Sequence, residues 1–90
     1  MKRHEIEEID QALTEFAIEN CSEDASGGVM FGGQQIVVGD PHSMDAGDWA
    51  DFGNDIVDFI KRKFELKYYV RSATRTYVTL FRKENSDDDM

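Results

Sequence analysis

Two stretches with the hydrophobic spacing of a helix, each followed by two short runs rich in β-formers, fill most of the chain and repeat one order of elements. Between residues 4 and 20, Ile6, Ile9, Leu13, Phe16 and Ala17 recur at helical intervals. That spacing gathers them within about 100° of arc and leaves Glu8, Glu15 and Glu19 nearly opposite. The second stretch runs from Asp45 to Phe64 and places Trp49, Phe52, Ile56, Phe59, Ile60 and Phe64 on one arc of about 140°. Asp45 is positioned to cap the free amides of its first turn, and Asp48, three residues on, to complete a capping box. Gly53 falls inside the apolar arc. There it lowers helix propensity by roughly 1 kcal/mol relative to alanine, and we read it as a packing glycine that lets the helix approach a sheet closely.

After the first helix, residues 22–28, SEDASGG, combine turn formers with small polar side chains and read as a loop. Residues 29–38 then give two strand-like runs around Gly32-Gly33, a pair that accepts the positive φ angles of a tight hairpin. After the second helix, residues 66–71 and 75–82 are rich in Tyr, Val, Thr and Phe and suit strands, with residues 72–74 as the turn. The fold class is therefore α+β in the order αββαββ, with two helices packed on one face of a four-stranded antiparallel sheet. A three-stranded sheet, with residues 29–38 as a loop and single strand, is the alternative. The order resembles a circularly permuted ferredoxin-like arrangement, a likeness of topology that implies no function. At 90 residues the chain suits a single small core. We expect one domain over residues 1–83 and a disordered acidic tail over 84–90, where ENSDDDM offers almost no apolar surface.

Charge is the feature that narrows function. The net value of −9 conceals its distribution: residues 4–60 carry fourteen acids and no Lys or Arg, whereas residues 61–83 carry eight bases against Glu65 alone. Such asymmetry in a small domain predicts two faces with different electrostatic partners. On the second helix Asp48, Asp51, Asp55 and Asp58 occupy about 80° of arc, with neighbouring carboxylates roughly 5 Å apart along the axis. Like charges at these spacings repel by a few tenths of a kcal/mol per pair, so the row does not exist to stabilise the helix. The helix dipole accounts for Asp45 and Asp48 at the positive end, but its influence fades within one turn. A solvated face kept for solubility is the plain alternative.

A duplex presents one phosphate per 3.4 Å of axis on each strand, a density the aspartate row approaches only together with Glu8, Glu15 and Glu19. The leading expectation is a small acidic interaction module that docks on the basic surface of a nucleic-acid-binding protein. It would be an inhibitor imitating the nucleic-acid backbone, as small acidic proteins of phage and other mobile elements do. The second expectation is direct nucleic-acid binding through the basic, aromatic C-terminal hairpin. Lys67, Tyr69 and Arg71 alternate onto one strand face, and Arg75 and Arg82 supply further cations. A third is an assembly subunit in which the acidic face of one copy meets the basic hairpin of another.

Catalytic and metal signatures are weak. His42 lies between Asp40 and Asp45, but no pair of ligands has zinc-site spacing, and DPHSMDAGD misses the positions a calcium loop requires. No cofactor, metal or enzymatic activity is expected, and His42 is read as a loop residue. Cys21 has no partner for an internal disulfide and sits at a helix C-terminus, which discourages the thiolate. The lone cysteine, together with an N-terminal segment lacking a continuous apolar run, points to a cytoplasmic protein. We expect no membrane span, and a monomer or weak homodimer.

Overall fold

A computed structural model describes residues 2–42 and 45–83. The chain forms α1 (Arg3–Asn20), β1 (Ser26–Met30), a 3-10 turn (Phe31–Gly33), β2 (Gln35–Gly39), α2 (Ala46–Phe64), β3 (Tyr68–Ala73) and β4 (Tyr77–Arg82). The strands make one antiparallel sheet in the order β1-β2-β4-β3, with α1 packed against β1 and β2 and α2 against β3 and β4. This is the α+β arrangement the periodicities imply. Full pairing of β1 with β2, from Ser26 opposite Gly39 to Met30 opposite Gln35, rules out the three-stranded alternative. Placing β4 ahead of α1 would give the β-α-β-β-α-β order of the ferredoxin-like fold.

Alternation along the strands builds the core. Ile36 and Val38 of β2 and Val78 and Leu80 of β4 are fully buried against Ile9, Leu13 and Ala17 of α1 and Trp49, Ile56 and Ile60 of α2. Burying each large apolar side chain contributes about 1.5–3 kcal/mol. Two polar handles tie this core to distant loops. The indole N–H of Trp49 donates to the Arg75 carbonyl at 3.0 Å, and the Tyr68 hydroxyl donates to the Gly33 carbonyl.

Each helix meets the sheet through one glycine. A Cβ at Gly53 would lie 2.8 Å from Val78 Cγ2 and 2.9 Å from Val70 Cγ2, so the packing role read from the sequence holds. A Cβ at Gly27 would lie 3.0 Å from Leu13 Cβ. Here the close approach explains a departure from expectation, because residues 26–28 form strand rather than loop. Thr14 Oγ1 donates to the Gly27 carbonyl at 3.1 Å and accepts the Gly27 N–H at 3.3 Å, fixing an extended backbone that local glycine content alone disfavours.

Other boundaries also move for local reasons. The β1–β2 link is a 3-10 turn that includes Phe31, whose φ of 54° is left-handed, and not a two-residue glycine turn. The β3–β4 turn centres on residues 74–76 instead of 72–74, because Thr74 Oγ1 accepts the amides of Thr76 and Tyr77, each at 3.2 Å. Asp45 is the N-cap of α2, but its side chain makes no capping bond, so the expected capping box is not formed. The acidic tail at 84–90 lies outside the described residues.

Candidate functional site: an acidic helical face

The helices run antiparallel across the sheet, as their paired residues show. Ile9 lines one groove with Phe64, Ala12 another with Lys63, and Phe16 a third with Phe59. Phe16 stacks on Phe59 at 4.4 Å between centroids and on Phe52 at 5.6 Å, contacts worth about 0.5–1.5 kcal/mol beyond burial. These three rings form the floor of a seam between α1 and α2.

The acid rows flank this seam. Taking the buried residues of each helix as its sheet-facing pole, Asp48, Asp51, Asp55 and Asp58 fall on the outward side of α2 and lean toward α1. By the same rule Glu8, Glu15 and Glu19 fall on the outward side of α1 and lean toward α2. All seven side chains are exposed, so both acidic sets share one outer surface.

The antiparallel arrangement sorts them further. Lys63, near the basic end of α2, lines one groove with Glu8 and Glu15 and another with Glu15 and Glu19, whereas Asp48, Asp51 and Asp55 lie in the earlier turns of α2. Arg62 pairs with Asp58 at 3.4 Å, both side chains well exposed, a surface pair worth about 0–1 kcal/mol. Asp48, Asp51, Asp55, Glu15 and Glu19 have no Lys or Arg within 4.0 Å among the described residues. These five acids make no direct ion pair among the described residues, with Lys63 bordering Glu8, Glu15 and Glu19 and Arg62 bordering Asp58. Asp10, on the other flank of α1, belongs elsewhere: its carboxylate accepts the Val29 N–H at 2.6 Å.

The hairpin residues divide between the two faces of the sheet. Tyr69 pairs with Phe81 across β3 and β4 on the face away from the helices, with centroids 6.3 Å apart in an edge contact. A bulge between Val70 and Ser72 turns Arg71 back over the Phe81 ring, 5.6 Å from its centroid. Lys67 and Lys83, joined by a backbone hydrogen bond of 2.8 Å, continue the same face two residues on. Arg82 does not share it. Opposite Tyr68, it turns to the helix side and lines a groove with Glu5, Glu8 and Phe64. Arg75 stands at the hairpin turn. Tyr77 and Phe81, aromatics interleaved with the hairpin cations, join Tyr69 on the face away from the helices, a placement that strand alternation with the correct turn position gives.

The histidine loop is a latch between two connections. Asp40, buried at the end of β2, accepts the Ser22 hydroxyl and the His42 amide, each at 2.7 Å. Those bonds, the Ser22 one foremost, hold its carboxyl below the usual range. His42 Nε2 lies 3.0 Å from Asp24, which with Asp40 raises the imidazole pKa. The Ser22 hydroxyl is bonded to a carboxylate and not to the imidazole, so the group lacks the nucleophile-to-base contact of a hydrolase. Burial, with Asp40 nearby, pushes the Cys21 thiol up, away from reactivity. Among the described residues no group of three or more His, Cys, Asp or Glu could hold a metal ion, and no helix is long and apolar enough to cross a membrane.

Comparison with protein-family models, with curated proteins and with solved structures finds no match to this chain. Surface chemistry therefore carries the functional argument.

Proposed function

We propose that this protein is a small acidic interaction module whose helical face docks on a basic surface of a nucleic-acid-binding protein, taking the place of a nucleic-acid backbone. The observation that carries the reading is the convergence of Asp48, Asp51 and Asp55 with Glu15 and Glu19 on one exposed surface, none of them ion-paired to Lys or Arg among the described residues. Packed helices lie on the order of 10 Å apart, between the widths of the minor and major grooves of a duplex at about 6 and 12 Å. Two flanking rows of carboxylates beside the Phe16–Phe59 seam support a likeness to two phosphate strands beside a groove. Long-range attraction speeds encounter with a basic partner and makes association sensitive to salt. The half-buried Phe16 and Phe59 in the seam offer apolar contact to the aliphatic stems of docking Lys or Arg.

The test is capture from nuclease-treated lysate on the immobilised protein and on a variant with Asp51, Asp55 and Asp58 replaced by Asn. A partner held by the wild-type surface, released by added duplex DNA and absent from the variant supports the reading. Equal retention by a variant with an unchanged circular dichroism spectrum overturns it.

A further inference from the structure

The sheet face opposite the helices has the chemistry of a second site. Alternation places Tyr77, Thr79 and Phe81 of β4, Val37 of β2 and Tyr69 of β3 on this face, and among the described residues neither helix packs against it. Tyr69 and Tyr77 are 44% and 42% exposed, high values for aromatic side chains in a sheet. The only charged strand residue on this face is Arg71, with Lys67 and Lys83 at its end, and the four strands contain no carboxylate at all. A chain with nineteen acids has thus kept its strands free of them.

We propose that this face binds single-stranded nucleic acid, with bases stacking on Tyr69, Tyr77 and Phe81 and phosphates meeting Arg71, Lys67 and Lys83. Stacked aromatics among cations are the recurring chemistry of such sites. The Arg71 bulge matters because it holds the guanidinium over Phe81, where the cation stands next to the ring that would receive a base. The acidic helical face does not veto binding. Its carboxylates stand beyond a layer of sheet and helix, on the order of 15 Å away, and the screening length is about 8 Å at physiological ionic strength.

The face also complements, in charge, the acidic surface of a second copy. That surface offers little for the tyrosines to stack on, since Phe52 is buried and Phe16 and Phe59 are half-buried between carboxylate rows. Nucleic acid supplies both the negative charge and the flat apolar surface. The proposal is independent of the docking role of the helices.

The experiment is fluorescence anisotropy with labelled oligothymidine and oligouridine of about 12 nucleotides, within the usual range of small single-strand sites, and with a duplex of equal length. The expected result is saturable single-strand binding at physiological salt, stronger than duplex binding. Tyr69→Ser and Arg71→Gln should each weaken it about tenfold, while the Asp51, Asp55 and Asp58 to Asn variant should bind no less tightly. Both substituted side chains are exposed, and unchanged emission of the buried Trp49 verifies folding. Absence of saturable binding, equal affinity for the duplex, or binding undiminished in both variants overturns the proposal. So does a salt-sensitive dimer in sedimentation that Arg71→Gln abolishes, which would give the face to a second copy.

Discussion

The Asp10 carboxylate of α1 accepts the Val29 amide of β1 at 2.6 Å, and one turn later Thr14 accepts the Gly27 amide. These are the outward-pointing donors of an edge strand, which otherwise stand open to pairing with another chain. The first helix therefore supplies Ile9, Leu13 and Ala17 to the core and also closes one sheet edge. At the other edge the bulge at Arg71 interrupts the ladder.

Removing the Asp10 cap should expose the β1 edge. Asp10→Ala is expected to lower stability by about 1–3 kcal/mol, the cost of a lost hydrogen bond to a charged group, and to promote self-association. Urea denaturation measures the first effect and sedimentation velocity the second. An unchanged urea midpoint and a sharp monomer boundary at high concentration would show that the cap is dispensable.

The aspartate row should cost stability in the isolated protein. Replacing Asp51, Asp55 and Asp58 together by Asn is expected to leave thermal stability unchanged or raise it by a few tenths of a kcal/mol per relieved pair. The lost Asp58–Arg62 pair offsets part of that gain. The gain should shrink as salt is added. Calorimetry at low and high ionic strength reads it directly, and a large loss of stability would mean the row is structural.

Gly53 should tolerate no side chain. Alanine there gains about 1 kcal/mol of helix propensity but drives a methyl to 2.8 Å from Val78 and 2.9 Å from Val70. Overpacking of this kind costs typically about 1–3 kcal/mol, so Gly53→Ala is expected to be net destabilising. By contrast, Gly47→Ala, with open space around the new Cβ, should stabilise. The sign difference between two glycines of one helix, read by thermal melts, is the check.

The loop latch should respond to pH from both sides. His42 has a raised folded pKa, so its contribution is complete below the ordinary histidine value of about 6.5 and is lost as pH rises through the folded value. Asp40 has a lowered folded pKa, so its contribution is present above the ordinary value of about 3.9 and is lost as pH falls through the folded value. The latch should therefore be tightest in the mildly acidic window between those two ordinary values. Urea midpoints for the wild type and His42→Ala should differ most at that pH and converge as pH rises through the raised imidazole value; a constant difference would refute the imidazole's role.

Legibility followed the range of the interactions. The helical and strand periodicities fixed element type and order because they reflect one residue's relation to its near neighbours, and Trp49, Phe52, Ile56 and Ile60 all entered the core as their spacing implies. The aspartate stripe was legible for the same reason. Boundaries set by contacts distant in sequence were not. The glycine-rich start of β1 is extended because Thr14 and Leu13 hold it, and the β3–β4 turn sits where the Thr74 hydroxyl can gather two amides.

By itself the sequence determined that this chain has two amphipathic helices, two β-rich pairs and a sharp division of charge, since composition and period are local quantities. Only the tertiary structure decided that α1 and α2 run antiparallel, which sets the glutamate row of α1 on the same outer surface as the aspartates and brings Lys63 to its edge. It alone decided that a bulge returns Arg71 to Phe81 while alternation sends Arg82 to the helices. Helix direction and strand register depend on which distant surfaces close the core most completely, and no window of neighbouring residues contains that information.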